Sequence, residues 1–404
     1  MNSMTIDQSR SDRLKLAVML GSLATIGPLS VDMYLPAFPN IAEDLHTSAP
    51  LIQLSLTFFL VGMALGQLFA GPYSDVYGRR KPLLIGMAIY SVASVLCALS
   101  PSIWTLLLLR FVQGMAGSAG IVISRAIVRD LYSGSELTKF FSLLMLVNGL
   151  GPIIAPIIGG QLLRVTSWQG VFILLGIIGI LLLLTVLSGL PETLVKERRA
   201  KGGTRATLLT FKNLFLDRSF MGYAICQGLV FASMFAYISG SSFVFQNVFH
   251  VSPQTFSLIF AMNGLGIILA TQTTGRLAGR VGEATLLKVG LRLSALGGVW
   301  LFIMLFLNAS LFAVLPPLFL TVSSVGMVNT AGFSLAMQTQ GKSAGSASAL
   351  LGVLSLIIGG MIAPLVGIGG SHTAIPMGIV MACSSLGSNL AFTLLVREKS
   401  KAAA

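Results

Sequence analysis

Charged side chains are scarce in this chain. Asp, Glu, Lys and Arg make up 10% of its 404 residues, against about 25% in an ordinary soluble domain, which excludes a molecule whose whole surface meets water. Acids are the rarer sign, 13 against 26 basic residues. The three cysteines, Cys97, Cys226 and Cys383, lie far apart inside apolar runs without metal-ligand spacing. They read as small core residues, and no metal site is expected. His46, His250 and His372 fall in short connecting segments, which leaves no histidine relay or haem site inside an apolar run. No HExxH or Walker sequence occurs, and the hydrophilic segments are too short for an ATPase domain. The expectation is therefore no enzyme and no cofactor.

What the chain has is apolar length. It is 54% hydrophobic with a mean hydropathy of +0.88. The apolar residues fall into runs of about twenty, the length a helix needs to cross about 30 Å of hydrocarbon. A β-barrel would show alternating segments of about ten residues instead. The runs predict an all-α polytopic protein in a lipid bilayer, with twelve helices near 14–36, 50–72, 82–100, 103–124, 139–162, 169–190, 218–240, 254–276, 285–307, 311–331, 345–367 and 374–396. The polar start MNSMTIDQSRSDRLK precedes an apolar run longer than a signal-peptide core, so an uncleaved first helix is expected.

Basic residues set the expected orientation. With the N-terminus inside, all fall in cytoplasmic segments except Arg164 outside and Arg110 and Arg292 within helices. Both termini are then cytoplasmic, and the net charge of +13 is topological bias rather than a nucleic-acid surface. PETLVKERRAKGGTRATLLTFKN (191–213) divides six helices from six. The expected organisation is a first bundle over 1–190, a linker over 191–217 and a second bundle over 218–404.

The halves carry a repeat. GPYSDVYGRR begins at Gly71 and GRLAGRVGEA at Gly275, 204 residues later, while IIAPIIGG (153–160) is echoed by MIAPLVGIGG (361–370), with Pro156 and Pro364 offset by 208. Repeated helical bundles facing each other are the construction of secondary transporters, with substrate held near the midplane. The halves are unequal in charge, since Asp75 in the first is matched by Gly279 in the second.

A charge near the bilayer centre costs about 2.5–3.5 kcal/mol on insertion scales. Asp32 and Arg110, both in the first half, qualify. Asp32 follows Lys15 by seventeen residues and Arg110 precedes Arg125 by fifteen, which at 1.5 Å per residue puts them within roughly 3 Å of one depth, where they could share a cavity. The residues alone leave open that Asp32 only caps an interfacial turn near Pro36. Gln113, Asn148, Gln227 and Asn263 are polar groups that either meet ligand or bond between helices. Met33, Tyr34, Phe231 and Tyr237 are candidates for a cavity wall, with packing or lipid contact as the alternative.

These motifs resemble the major facilitator superfamily, specifically its twelve-helix drug:proton antiporters and the Bcr/CflA branch, over essentially the whole chain. GPYSDVYGRRK (71–81) is similar to the superfamily's helix-two/three motif in Gly71, Asp75, Gly78, Arg79 and Arg80. LLLRFVQGMAGSAG (107–120) resembles the helix-four motif in Arg110, Gln113 and Gly114. GLGPIIAPIIGG (149–160) resembles the antiporter motif of helix five through Gly151, Pro152, Pro156, Gly159 and Gly160, with Ala155 where many members have Gly. DMYLPAFP (32–39) looks like the branch's helix-one signature.

The resemblance implies the major facilitator fold, a bacterial plasma-membrane location, a monomer, and alternating access. It implies proton-coupled efflux of small amphipathic toxic compounds such as antibiotics, with Asp32 as the proton-coupling acid and Arg110 as the base that tunes it. It also implies a cytoplasmic gate at Asp75 and Arg79, for which Arg129 and Asp130 are candidate partners. Export of a physiological metabolite such as a sugar or amino-acid derivative, or ion-independent facilitation, remains an alternative.

Overall fold

The computed structural model describes residues 10–132, 134–195, 199, 212–338, 340 and 344–396. Of the basic residues used for orientation, Lys196, Arg198, Lys201, Arg205, Lys342, Arg397, Lys399 and Lys401 lie outside them. Twelve long helices occur among the described residues. We number them α1 (Arg10–Asp32), α2 (Ala49–Tyr77), α3 (Arg80–Ala98), α4 (Ile103–Leu131), α5 (Gly134–Leu162), α6 (Gln169–Gly189), α7 (Arg218–Phe243), α8 (Pro253–Val281), α9 (Glu283–Phe306), α10 (Leu311–Met337), α11 (Ala344–Ile362) and α12 (Ile375–Leu395). By length and composition eleven are apolar enough to cross a membrane, and α5 contributes a shorter apolar stretch, Gly149–Leu162. The molecule is a multi-pass membrane protein.

Helix ends follow local chemistry. α1 stops at Asp32, four residues short of the expected end, because Pro36 has no N–H to give the Asp32 carbonyl and its ring disfavours helix at Leu35. One tight turn, Leu35–Ala37, and a short helix, Phe38–Asp44, then lead the chain away. α11 stops at Ile362 rather than 367 for a similar reason: Pro364 follows, and Ala363–Gly369 winds more tightly. α4 and α8 start on Ser102 and Ser252, whose hydroxyls accept from the backbone N–H of Thr105 and Thr255. α2, α8 and α10 run five or six residues past their expected ends, since their last turns keep helical hydrogen bonding whether or not they are apolar.

α2 packs on α4, α3 on α4 and α6, and α1 on α5, while α9 and α8 pack on α10 and α7 packs on α11 and α12. The first six helices meet the last six along α5 with α8 and α2 with α11. Among the described residues this seam is closed at one end only. There a single core joins Tyr34, Phe38 and Phe59 to Phe243, Phe256 and Phe260. At the other end Gly149, Gly275, Gly279 and Gly352 face open space.

Candidate functional site

Asp32 is the last residue of α1 and is buried. It lines a small cavity of about 20 Å³ together with Pro152 of α5, Tyr237 and Ile238 of α7, and Phe260 and Asn263 of α8. That volume holds about one water. Asn263 Nδ2 donates to the Tyr237 hydroxyl at 3.0 Å, and the Tyr237 and Phe260 rings stack at 5.2 Å. No described residue pairs its side chain with Asp32 through a hydrogen bond or salt bridge. The one acid in the membrane-spanning core of the first six helices thus sits on the seam, facing the last six.

Arg110 is fully buried, yet it does not line that cavity. Nη1 donates to Gln113 Oε1 at 2.6 Å and Nη2 to the Ser30 carbonyl at 3.0 Å. The guanidinium carbon lies 4.2 Å from the Tyr34 ring centroid and 4.3 Å from that of Phe59. Gln113 passes the chain on to Ser94 Oγ at 2.7 Å, and Ser30 Oγ shares a 2.7 Å hydrogen bond with the Tyr90 hydroxyl. Three aromatic faces and a helix-end carbonyl therefore stand where a carboxylate would ordinarily neutralise such a cation. The depth estimate allowed Asp32 and Arg110 one cavity; they lie on different sides of α1. Two residues along a helix turn the side chain by about 200°, so the Ser30 hydroxyl meets Tyr90, on the side where Arg110 holds the Ser30 carbonyl, while Asp32 points to the seam.

At the open end Arg79 sits between α2 and α3. Nε donates to Asp130 Oδ2 at 2.8 Å, and Nη1 to Asp75 and to Ser74 Oγ. Burial alone would pull the Arg79 guanidinium down, but the hydrogen bonds and charges of Asp130 and Asp75 outweigh it and hold its pKa above the ordinary value. Gly78 allows the turn, with φ of +91° and a Cβ position that would run into the Glu192 carboxylate. Glu192 accepts from the backbone N–H of Arg79 at 2.7 Å, Leu194 at 3.1 Å and Arg80 at 3.2 Å. Arg80 reaches the Leu187 carbonyl at the end of α6, and Gly71 accepts through its carbonyl from Ser74. Arg129 is exposed and outside this cluster; the α4 turn gives Arg79 its neighbour Asp130 instead.

The helix-five residues divide between α1 and the seam. Gly151 faces Pro28 and Thr25 of α1, and Gly159 lets the Met33 carbonyl approach so closely that any Cβ would collide with it. Gly160 faces Ser257 of α8 and accepts from Gln254 Nε2 at 2.7 Å. Pro156 lies within α5, and Pro152 within α5 reaches the Asp32 cavity. Of the candidate wall residues, only Tyr237 and Asn263 line that cavity. Tyr34 and Gln113 belong to Arg110, Met33 packs under Gly159, Gln227 packs against Gly332, and Phe231 lies beside Phe235. The Asn148 side chain lies outside the described set.

Sequence reasoning passed over Ser30, Tyr90, Glu192 and the neutral donors at the closed end. There Thr57 Oγ1 donates to the Gly360 carbonyl at 2.6 Å, Gln53 Nε2 to Ser239 O at 3.2 Å, and Ser242 Oγ to Leu35 O at 2.6 Å. Glutamine in an apolar helix was the available signal for Gln53.

Residues 20–364 match the model of the Major Facilitator Superfamily. An uncharacterized MFS-type transporter, YdgK of Bacillus subtilis, is 47% identical over 390 residues, 96% of this chain and 97% of that one. A bicyclomycin resistance protein homolog of Haemophilus influenzae is 32% identical over 95% of this chain and 96% of its own length. Among solved structures, the nucleoside transporter NupG superposes with a TM-score of 0.75 over 96% of this chain and 100% of its own, at 15% identity, which speaks to fold alone. The chain belongs to the major facilitator superfamily, on its Bcr/CflA side, and is a transporter rather than an enzyme.

Proposed function

We propose that the protein exports small amphipathic toxic compounds such as antibiotics from the bacterial cytoplasm in exchange for protons. The observation that carries this is Asp32, a buried acid with no counter-charge among the described residues, set on the seam between the two sets of six helices. The name of the bicyclomycin resistance relative supports a drug as cargo. All twelve long helices span the plasma membrane in this reading, with both termini cytoplasmic. Residues 1–190 and 218–404 form two bundles joined by 191–217 and work as a monomer.

The open end, beside Arg79, then faces the cytoplasm and admits substrate toward Tyr237, Phe260 and Asn263, whose one-water cavity widens to hold it. Opening the other end lets external water and a proton reach Asp32. A neutral carboxyl is far cheaper to enclose in an apolar cavity than a carboxylate, so the protonated form returns and discharges inside. Arg110 holds the C-terminal turn of α1 in place through the Ser30 carbonyl. The closed end is held by neutral hydrogen bonds, each worth about 0.5–1.5 kcal/mol net. A handful of them sums to a few kcal/mol, the size of a gap that ligand and proton can overturn.

The test is Asp32→Asn in everted vesicles energised by respiration. Gradient-driven accumulation of a labelled antibiotic should vanish, while exchange of labelled for unlabelled drug without a gradient should persist. Undiminished accumulation rejects the assignment of Asp32.

A further inference from the structure

Beyond the acid itself, the seam has one place where donors from the last six helices grip the chain just after Asp32. Ser242 Oγ donates to the Leu35 carbonyl at 2.6 Å, and Gln246 Nε2 donates to the Pro36 carbonyl at 3.1 Å and to Ser242 Oγ at 2.8 Å. The two carbonyls belong to the tight turn Leu35–Ala37, three residues beyond the acid. Ile238, Ser242 and Gln246 are spaced by four residues, so they form one stripe of the α7 surface. The stripe begins at the Asp32 cavity, which Ile238 lines, and ends on the turn.

The backbone beneath the stripe is irregular. Val244–Val248 continues α7 as a wider π-helical turn that contains Gln246. Such turns cost regular hydrogen bonding and occur mostly where a side chain must be re-aimed for function. Phe243, next to Ser242, lies 6.0 Å from the Phe38 ring, centroid to centroid, on the far side of the same turn. Apart from the backbone bonds of the turn itself, the grip is a pair of side-chain donors in contact with each other, so loss of one loosens the other.

We infer that Ser242 and Gln246 are positioning residues, a latch that ties the state of the Asp32 cavity to closure of the seam. A change at Asp32 that moves the end of α1 pulls the Leu35–Ala37 turn off its two donors, and the seam opens. This inference rests on the reading of Asp32 as the coupling acid, and its test is chosen to fail separately from that reading.

The reporter is Ile238→Cys in a chain whose three native cysteines are replaced by Ser. A membrane-impermeant thiol reagent is applied to each face in right-side-out and everted vesicles, without substrate or gradient. Each substitution removes one bond to the turn and the bond between Ser242 and Gln246; loss of the turn bond alone should raise labelling from the face at the closed end by roughly fivefold in Gln246→Ala or Ser242→Ala, and lower it from the opposite face. Gln246→Glu, which keeps the size but loses the amide donor, serves if the alanine variant folds poorly, and carries the same expectation. Combined with Asp32→Asn, the Gln246 effect should be less than the product of the two single effects, whereas Thr57→Ala, which frees Gly360 instead, should multiply independently. Unchanged labelling overturns the latch. So does an equal rise from both faces, which marks mere loosening of α7. If Asp32→Asn leaves gradient-driven transport intact while the Gln246 and Asp32 effects on labelling still fall short of their product, the coupling role of Asp32 falls and the latch stands.

Discussion

The first six helices and the last six share a backbone plan and divide the chemistry unequally. α2 and α8 each have 29 residues and start 204 positions apart, and the turns before them carry His46 at φ +47° and His250 at φ +53°. The turns after them carry Gly78 at φ +91° and Gly282 at φ +84°. Left-handed conformations repeated at equivalent positions are costly for any residue but Gly, and histidine is among those that tolerate them best. Their recurrence marks a duplicated frame. The polar residues laid on it have diverged: Leu318 stands 208 positions after Arg110, Gly279 stands opposite Asp75, and Glu283 stands opposite Arg79. Even so, Glu283 bonds the last turn of α10, accepting from Ser334 Oγ at 2.6 Å and from Gln338, which matches Asp130. The link between the start of helix three and the end of helix four survives in both halves; among the described residues only the first makes it with paired opposite charges.

The largest effect expected from erasing this asymmetry comes from Arg110→Leu, which imports the second half's residue. It removes the donor to Ser30 and the partner of Gln113, so gradient-driven transport in vesicles should fall to background. Thermal stability in detergent should fall, because Leu is shorter than Arg and leaves the buried Gln113 Oε1 and Ser30 carbonyl without their donor, a loss that the removed cost of burying a cation offsets only in part. A variant that transports normally would remove Arg110 from the mechanism and make the two halves chemically closer than their sequences.

The next effect sharpens the comparison at the links themselves. Asp130→Asn leaves Arg79, a nearly buried cation, with only the half-exposed Asp75. The loss should be about 2 kcal/mol, below the 3–5 kcal/mol for a fully buried pair because Asp130 retains some solvent. Gln338→Ala removes one neutral donor from an exposed link and should cost less than about 1 kcal/mol. Thermal unfolding of the two variants side by side measures the difference, and equal losses would contradict the account of the first link as an ion pair.

Gly78→Ala and Gly282→Ala provide a finer contrast. Both force a side chain into a positive φ, at about 1–2 kcal/mol. At Gly282 a new Cβ meets nothing, whereas at Gly78 it meets the Glu192 carboxylate and the Arg199 guanidinium. The Gly78 variant should lose more stability by about 1 kcal/mol, the scale of one carboxylate hydrogen bond to backbone N–H.

Helix number and placement were legible because apolar length is a one-dimensional signal. Asp32 and Arg110 stood out for the same reason, as charges inside such runs, and their similar depth followed from the helix rise. What linear spacing from distant anchors did not give was azimuth: Ser30 and Asp32, two residues apart, serve opposite sides of α1. Nor did it give the seam. Thr57, Gln53, Ser242 and Gln246 are neutral and unremarkable in composition, and they matter only because a carbonyl of a distant helix lies within 3.2 Å. Glu192 was hidden for another reason. It stands at the head of a basic segment that reads as a linker, and its acceptor role depends on three backbone N–H groups, which no side-chain pattern encodes.

Glu192 also supplies the smallest contrast between the halves. Burial pushes its carboxyl up, but the N–H groups of Arg79, Leu194 and Arg80, with the Arg199 charge, outweigh this and hold its pKa below the usual carboxylate value. A carboxyl with a depressed folded-state pKa adds stability that is fully present above its unfolded value, about 4.3, and that is lost as pH falls through the folded value. The turn after α2 should therefore loosen in acid before the turn after α8, where Gly282 faces open space. Amide exchange at Arg79 and Arg80, corrected for the intrinsic pH dependence, should accelerate below about pH 4 relative to the amides around Gly282. Glu192→Gln should remove that pH dependence and leave both turns alike. Persistence of the acid-induced difference in Glu192→Gln would overturn this account of the carboxylate that caps the turn.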